Sequence, residues 1–147
     1  MKLHLEIITP LKVVFKEDVD EIVAPTVNGE ITILPSHVGL LTKIKPGELI
    51  VKKGANLHTI AITGGFVEIS SNKVTILADF AVRSEDIEIE KAQEARKRAE
   101  TILKEKLEER DFAKAEGELR RALLELKVAH KRKSRPVPET SPQTKSL

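Results

Sequence analysis

The 147-residue chain contains no cysteine, no tryptophan and no tyrosine. The absence of cysteine excludes disulfides, thiolate metal sites and cysteine nucleophiles. With only four phenylalanines, the chain offers few rings on which nucleic-acid bases could stack. Its formal net charge of +2 provides no strong positive field toward a polyanion. These absences argue against a nucleic-acid-binding protein and against cysteine-dependent chemistry.

Long apolar runs are also missing. No stretch approaches the roughly 18 consecutive apolar residues that a membrane-spanning helix needs, so we expect any link to a membrane to go through partner proteins. The chain reaches the acidic Glu6 before any signal-like apolar run. We therefore interpret its first residues as a strand and not as a secretion signal.

The signatures of catalysis are equally scarce. Neither a G-x-S-x-G elbow nor a glycine-rich loop ending in Gly-Lys-Ser/Thr occurs. Carboxylate pairs at residues 17–18 and 20–21 have no evident apolar pocket that would shift their pKa values, so we interpret them as solvated surface. The histidines lack the spacing of zinc or iron ligands. The sequence predicts a chain that is not an enzyme, with no catalytic residue and no metal site. The scattered histidines are His4, His37, His58 and His130.

Residues 1–84 combine short β-branched and apolar runs with frequent turn signals. Asn28-Gly29 is a strong two-residue hairpin signal, because both positions tolerate a positive φ. Pro46-Gly47 is typical of a tight turn. No helix-length segment separates the runs, which predicts an antiparallel β-sandwich or barrel. The predicted strands cover residues 3–8, 13–15, 21–27, 30–34, 40–45, 48–52, 57–63, 66–69 and 73–77.

The apolar period becomes helical after Arg83. Four acidic residues within 85–90 are predicted to open a helix, where the helix dipole favours negative charge. A polar break at residues 108–111, with Asp111 as N-cap, precedes a second helix. The short break predicts an antiparallel helical hairpin over residues 85–133, and the fold class is therefore α+β. Residues 134–147 contain three prolines and are predicted to be disordered.

The predicted seam between the two helices is rich in alanine. Because alanine buries a single methyl group, such a seam is held less tightly than a leucine seam, and Gly117 weakens the second helix by about 1 kcal/mol relative to alanine. The hairpin could therefore undock and bind a partner; a static hairpin that only caps the sandwich is the alternative. The seam positions are Ala92, Ala95, Ala99, Ile102, Leu103, Leu107, Phe112, Ala115, Leu119, Ala122, Leu126 and Ala129.

Five segments, in order, carry a family resemblance. They are NGEITILPSHVGLL at 28–41, IKPG at 44–47, GGFVEI at 64–69, VTILA at 74–78 and EDIE at 85–88. Their order and spacing resemble the epsilon subunits of F-type ATP synthases, over about residues 5–129. The resemblance implies a non-catalytic rotor subunit of the central stalk, whose sandwich binds the gamma subunit and the ring of c subunits.

The resemblance also implies where these partners bind. It assigns Glu30 and the Pro35-Ser36-His37 turn to the interface with the c ring and gamma. For His37, a turn residue that bonds its own backbone is the alternative. The family carries glycine, or often proline, at three positions where this chain differs, so we expect a somewhat different loop conformation. These positions are Thr32, Ser36 and Gly39.

The helical hairpin resembles the regulatory arm of the family. That arm lies on the sandwich or extends along gamma into the catalytic head of alpha and beta subunits, where it blocks ATP hydrolysis. Basic side chains near its end could bind acidic surface on the head; stabilisation by the helix dipole is another reason for cations to cluster there. The predicted inhibitory contacts are Arg120, Arg121, Lys127, Lys131, Arg132 and Lys133.

Some family members bind ATP in the folded arm through an I/L-D-x-x-R-A motif, which here reads IEIEKA at 87–92. Lys91 lacks the bidentate fork of arginine. Val82 and Glu125 stand where nucleotide binders carry an acid and a second arginine. We therefore expect no required cofactor, and at most weak regulatory ATP. The candidate ATP contacts are Glu88, Lys91, Ala92, Arg98 and Arg121.

Two other functions stay open at this point. One is an ATP-binding sensor with little inhibitory role, and the other is a sandwich-plus-helix adaptor outside the synthase. For the synthase subunit, we expect a peripheral position at the cytoplasmic face of a bacterial plasma membrane, because no transit segment precedes the first strand.

Overall fold

The computed structural model describes residues 1–105 and 109–134, and for residues 132–134 it describes the backbone alone. Ten strands lead through a 3₁₀ turn (Ser84–Asp86) into helices α1 (Ile89–Lys104) and α2 (Glu109–Ser134). The predicted α+β class, a β-sandwich followed by a helical hairpin, is confirmed. The strands are β1 (Leu3–Ile8), β2 (Val13–Val19), β3 (Glu21–Thr26), β4 (Gly29–Ile33), β5 (Leu40–Ile44), β6 (Gly47–Lys53), β7 (Asn56–Ile62), β8 (Gly65–Ser70), β9 (Lys73–Ala78) and β10 (Ala81–Arg83).

The strands follow the order β10-β7-β6-β3-β5-β8-β9-β1-β2, with β4 paired on β3. The two ends of this order meet: β10 contacts β2, and Arg83 Nε donates a hydrogen bond of 3.1 Å to the carbonyl of Val14. The sheet therefore closes on itself. One pair departs from the predicted antiparallel arrangement, since β1 runs parallel to β9. No tight turn has to join these two strands, because seven others lie between them along the chain.

Alternation along the strands builds the core. In β1 and β8 every second side chain is buried, as expected for a sheet with one covered face. Each buried aliphatic side chain contributes about 1.5–3 kcal/mol. The largest fully buried side chains are Phe15, Leu3, Leu5, Ile7, Ile22, Ile33, Ile44, Leu49, Ile60, Ile62, Ile76 and Val19.

Most predicted strand ends lie within one or two residues of the observed ends, with two differences. β2 continues to Val19 instead of ending at residue 15, because its charged residues 16–18 pair with β1 and are followed by the buried Val19. The prediction missed β10, whose three residues are too short to show a period but pair with β7.

Both predicted helix starts were wrong. Glu88 has an extended backbone and α1 begins at Ile89, so only Glu90 of the four acids lies in its first turn. The buried Ile87 packs against the second helix from this extended segment, which delays the helix. α2 is already helical at Glu109, so Asp111 lies in its first turn and is not an N-cap. The predicted seam residue Leu107 and the break residue Glu108 lie outside the described residues.

The two helices pack antiparallel through small side chains. Ala115, Ala122 and Ala129 are buried at seven-residue steps along α2, which is the spacing of a coiled-coil seam. Phe112 was wrongly assigned to the seam, since its side chain is exposed. The hairpin, called the arm below, is therefore joined mainly through methyl groups. The remaining buried residues of the seam are Ala92, Ala99 and Leu126.

The arm is docked on the sandwich. Val128 and Ala129 of α2 pack with Ala61 of β7 and with Ile87, and this cluster is separate from the sandwich core. Three half-buried side chains complete it: Val82, Ile89 and Leu124. This apolar cluster is small, so docking depends on few contacts. The predicted tail after Ser134 lies outside the described residues.

Candidate functional site

A cleft of about 590 Å³ lies between the docked arm and the sandwich. Its walls come from α1, α2, the 3₁₀ turn and the loop between β9 and β10. The extended segment before α1 turns the start of that helix toward the cleft. All five candidate ATP contacts line it, so residues from both helices that the sequence proposed together do lie together. They are Glu88, Lys91, Ala92, Arg98 and Arg121.

The charges of this cleft nearly cancel. Its lining contains three cations, Lys91, Arg98 and Arg121, against four acids, so the net formal charge is −1. A triphosphate would require an excess of cations or of backbone amides. The acids are Asp86, Glu88, Glu118 and Glu125.

Two of the three cations already have partners in the cleft. Lys91 Nζ lies 2.8 Å from Glu88 Oε2, and this hydrogen bond raises the pKa of Lys91 above its ordinary value. Arg121 Nε lies 3.3 Å from Glu125 Oε1, and its guanidinium carbon lies 3.4 Å from the centroid of the Phe80 ring. A phosphate would have to displace these contacts, so the cleft is poorly suited to a nucleotide.

The basic side chains of α2 occupy two different faces. Arg120 pairs with Glu116 of its own helix, and both Arg120 and Lys127 are exposed. Arg121 instead faces the sandwich through Phe80, and Lys131 reaches Glu48 of β6 at 2.9 Å. The predicted inhibitory cations are therefore divided between solvent and the sandwich. The side chains of Arg132 and Lys133 lie outside the described residues.

The turn after β4 is held by local hydrogen bonds. The His37 amide donates to the carbonyl of Leu34 at 3.1 Å, and the Ser36 amide donates to Asn72 Oδ1 at 2.6 Å. Ser36 has φ +66°, a region that favours glycine and explains why a glycine pattern fits this position. The His37 ring contacts the backbone of the next residue, since Nδ1 lies 2.7 Å from the carbonyl oxygen of Val38.

Glu30 is separated from this turn. It is exposed near the start of β4, while Pro35, Ser36 and His37 follow the end of that strand. At about 3.3 Å per residue, the length of the strand lies between them. The four residues assigned to the rotor interface therefore lie at two separate places along one edge strand.

Sequence reasoning missed an apolar row on the outer face of the sheet. Val27 bonds through its amide to the carbonyl of Lys43 at 3.1 Å, Lys43 stands opposite Phe66, and Phe66 stands opposite Leu77. The apolar members of this row, Val27, Phe66 and Leu77, are exposed, as is Leu41 on the same face. The alternation of buried and outward positions could have identified such residues. Phe66, for example, stands between the buried Gly65 and Val67, so its side chain must point outward.

Within residues 1–105 and 109–134, no three His, Cys, Asp or Glu side chains are grouped so that they could hold a metal ion. Across the same residues, neither helix combines the length and the apolar character that crossing a membrane requires.

Known families match the two parts of the chain separately. Residues 2–84 match the beta-sandwich domain of the ATP synthase Delta/Epsilon chain, and residues 85–130 match its long alpha-helix domain. Among curated proteins, the chain is similar to the ATP synthase epsilon chain of Dehalococcoides mccartyi, with 44% identity over 92% of this chain and 97% of that one. The ATP synthase epsilon chain of Herpetosiphon aurantiacus shares 46% identity, covering 92% and 99%.

Solved structures give the same correspondence. A chain of the Euglena gracilis mitochondrial ATP synthase, from an assembly of OSCP, F1 and c-ring, aligns with a TM-score of 0.67 at 25% identity, over 81% of this chain and 76% of that one. A chain of the Tetrahymena thermophila mitochondrial ATP synthase central stalk and c-ring aligns with a TM-score of 0.57 over 88% and 97%. At 18% identity, the second alignment supports the fold alone.

Proposed function

The chain belongs to the ATP synthase delta/epsilon chain family, and we propose that it is the non-catalytic epsilon subunit in the central stalk of a proton-translocating F-type ATP synthase. In this role the sandwich binds the gamma subunit and the ring of c subunits. The arm regulates ATP hydrolysis by the head of alpha and beta subunits. The chain itself catalyses no reaction and requires no cofactor.

The observation that carries the proposal is the division of the chain into two separately packed parts. The sandwich has its own core, and the arm touches it through a small cluster around Ala61 and Val128. An alanine-rich arm on a small interface needs little free energy to leave. The sandwich can therefore keep its partners while the arm changes position.

The apolar row on the outer face supports a protein partner for the sandwich. Phe66 and Leu77 are adjacent across β8 and β9 and more than half exposed. Aromatic and aliphatic side chains of this kind form the centre of protein interfaces, surrounded by polar residues. We assign gamma to this face, with Lys43 and Glu68 beside the apolar centre.

A polar partner fits the other contact. Glu30 and the Pro35-Ser36-His37 turn present a carboxylate, a hydroxyl and an imidazole, which are typical of the rim of an interface. We assign this edge to the polar loops of the c ring. The predicted position, peripheral at the cytoplasmic face of a bacterial plasma membrane, follows from such contacts and stays part of the proposal.

The arm supplies the regulation. Arg120 and Lys127 are exposed on the docked arm, and Arg121 and Lys131 become available when it undocks. With Arg132 and Lys133 of the sequence, these residues give the end of the arm a positive charge that suits acidic parts of the alpha and beta subunits. An extended arm bound in this way obstructs hydrolysis.

The alternative, an ATP sensor with little inhibitory role, has less support. The cleft gathers all five candidate contacts, but its four acids outnumber its three cations. We therefore propose weak regulatory ATP binding at most. Calorimetry on the full chain tests this, because a sensor would release heat at millimolar ATP.

Two experiments on the assembled synthase test the proposed function. A chain reduced to residues 1–84 should assemble normally and raise ATP hydrolysis, and a chain shortened only by residues 135–147 is the matched control. Unchanged hydrolysis with intact assembly would contradict the inhibitory role.

For the gamma interface, Phe66→Glu should weaken co-purification with gamma, whereas Leu57→Glu should not. These side chains are similarly exposed, at 52% and 54%, but Leu57 lies on β7. Equal binding by both variants would exclude the apolar row.

A further inference from the structure

One ion pair joins the end of the arm to the sandwich across 83 residues of sequence. Lys131 Nζ lies 2.9 Å from Glu48 Oε1 and 3.1 Å from Glu48 Oε2. The Glu48 side chain is only 13% exposed, whereas that of Lys131 is 52% exposed. In the docked state the Glu48 side chain is thus nearly covered, while the Lys131 side chain remains half in water.

Glu48 lies within the area on which the arm docks. It stands directly opposite Ala61 in the β6–β7 ladder, so the two side chains share one face of the sheet. Ala61 packs with Val128 of α2. Lys131 follows Val128 by three residues and therefore lies on the same face of that helix.

We propose that Glu48 acts as a latch that retains the arm by occupying Lys131. The ion pair holds Lys131 against the sandwich and away from the catalytic head, so docking and inhibition use the same cation. The inference rests on the proposed function only for its effect on hydrolysis. The effect on docking can be tested without it.

The unequal burial of the pair predicts unequal effects of removing each partner. Lys131→Gln leaves the Glu48 carboxylate covered and without its cation, and a buried polar group that loses its partner is costly. Glu48→Gln removes one ion partner from Lys131, whose side chain is already half in water, where an ion pair contributes little. We expect the docking equilibrium constant to fall about tenfold for Lys131→Gln and about two- to threefold for Glu48→Gln.

Docking can be measured on the full chain by energy transfer between two dyes. Because the chain has no cysteine, Leu123→Cys on α2 and Ser70→Cys on β8 place the dyes at exposed positions. Lys127→Gln is the matched control, since it removes the same charge from an exposed position one turn away. The exchanged pair, Glu48→Lys with Lys131→Glu, should recover docking.

The outcomes separate the latch from the proposed function. Energy transfer that is equal in Lys131→Gln and Lys127→Gln would overturn the latch, as would an exchanged pair that docks no better than Lys131→Gln. In the assembled synthase, Glu48→Gln should lower ATP hydrolysis about two- to threefold, because Lys131 is released and still present. A loss of docking without any change in hydrolysis would support the latch and contradict the inhibitory role of the arm.

Discussion

The guanidinium carbon of Arg121 lies 3.4 Å from the centroid of the Phe80 ring and joins α2 to the loop between β9 and β10. Phe80 is half-buried, and Arg121 also pairs with Glu125 of its own helix. A cation over an aromatic ring contributes about 0.5–2 kcal/mol, depending on its exposure to water. The contact is therefore one of the few that hold the arm on the sandwich.

Replacing this ring should loosen the arm. Phe80→Leu keeps an apolar side chain but removes the aromatic face, so the docked state should lose about 0.5–2 kcal/mol. Amide hydrogen exchange at the end of α2 should accelerate about two- to thirtyfold if it proceeds through undocking. Arg120→Ala is the control, because Arg120 lies on the solvent face; equal acceleration in both variants would contradict a role for the stack.

Gly65→Ala should strongly destabilise the sandwich. A Cβ at this position would lie 1.9 Å from the carbonyl oxygen of Leu77, and the backbone φ is +134°. Strain and overpacking each cost about 1–3 kcal/mol, so the free energy of unfolding measured in urea should fall by about 3 kcal/mol. Gly54→Ala separates the two causes. Gly54 has φ +59° but open space around its Cβ position, so this control should cost only about 1 kcal/mol.

Gly117→Ala should instead stabilise the chain. Gly117 lies inside α2, and nothing lies within 4 Å of the position that its Cβ would occupy. Alanine is favoured over glycine in a helix by about 1 kcal/mol, so the helical signal in circular dichroism should persist to higher temperature. Ala122→Gly, at a buried seam position of the same helix, should lower the transition. A Gly117→Ala chain that melts earlier would contradict the open space at this position.

Local patterns were enough to predict the two parts of the chain. Asn28-Gly29 predicted the hairpin between β3 and β4 to within one residue: the two turn residues are Val27 and Asn28, and Gly29, with φ +109°, already pairs with Thr26. The seven-residue spacing of Ala115, Ala122 and Ala129 marks the face of α2 that is buried. In both cases the physical cause lies within a few residues, so the sequence alone displays it.

The contacts between the two parts could not be predicted in this way. Glu48 and Lys131 are 83 residues apart, and Phe80 is a single aromatic residue in a loop with no periodic partner. The delayed start of α1 depends on the burial of Ile87 against α2, which outweighs the local preference of acidic residues for a helix start. Tertiary packing decides these features, and no local pattern records it.

Asp20 should make the free energy of unfolding depend on pH in the acidic range. Lys2 Nζ lies 2.7 Å from its Oδ1, and the Gly54 amide donates to its Oδ2 at 2.7 Å. These bonds, the one from Lys2 first, hold the pKa of Asp20 below its ordinary value. Its stabilising contribution is fully present above the ordinary aspartate pKa of about 3.9. It declines as the pH falls, because the unfolded chain binds the proton first, and is lost below the folded pKa.

Asp20→Asn therefore removes a carboxylate whose stabilising contribution is present above its ordinary pKa and disappears only in acid. In urea unfolding, the variant should be less stable than the parent chain at about pH 5. The difference should shrink as the pH falls through the acidic range, because the parent then also loses the charge on Asp20. Glu68→Gln, at an exposed position on β8, controls for the general loss of one negative charge. A stability difference between Asp20→Asn and the parent that stays constant through this acidic range would show that the two hydrogen bonds, and not the charge of Asp20, account for its contribution.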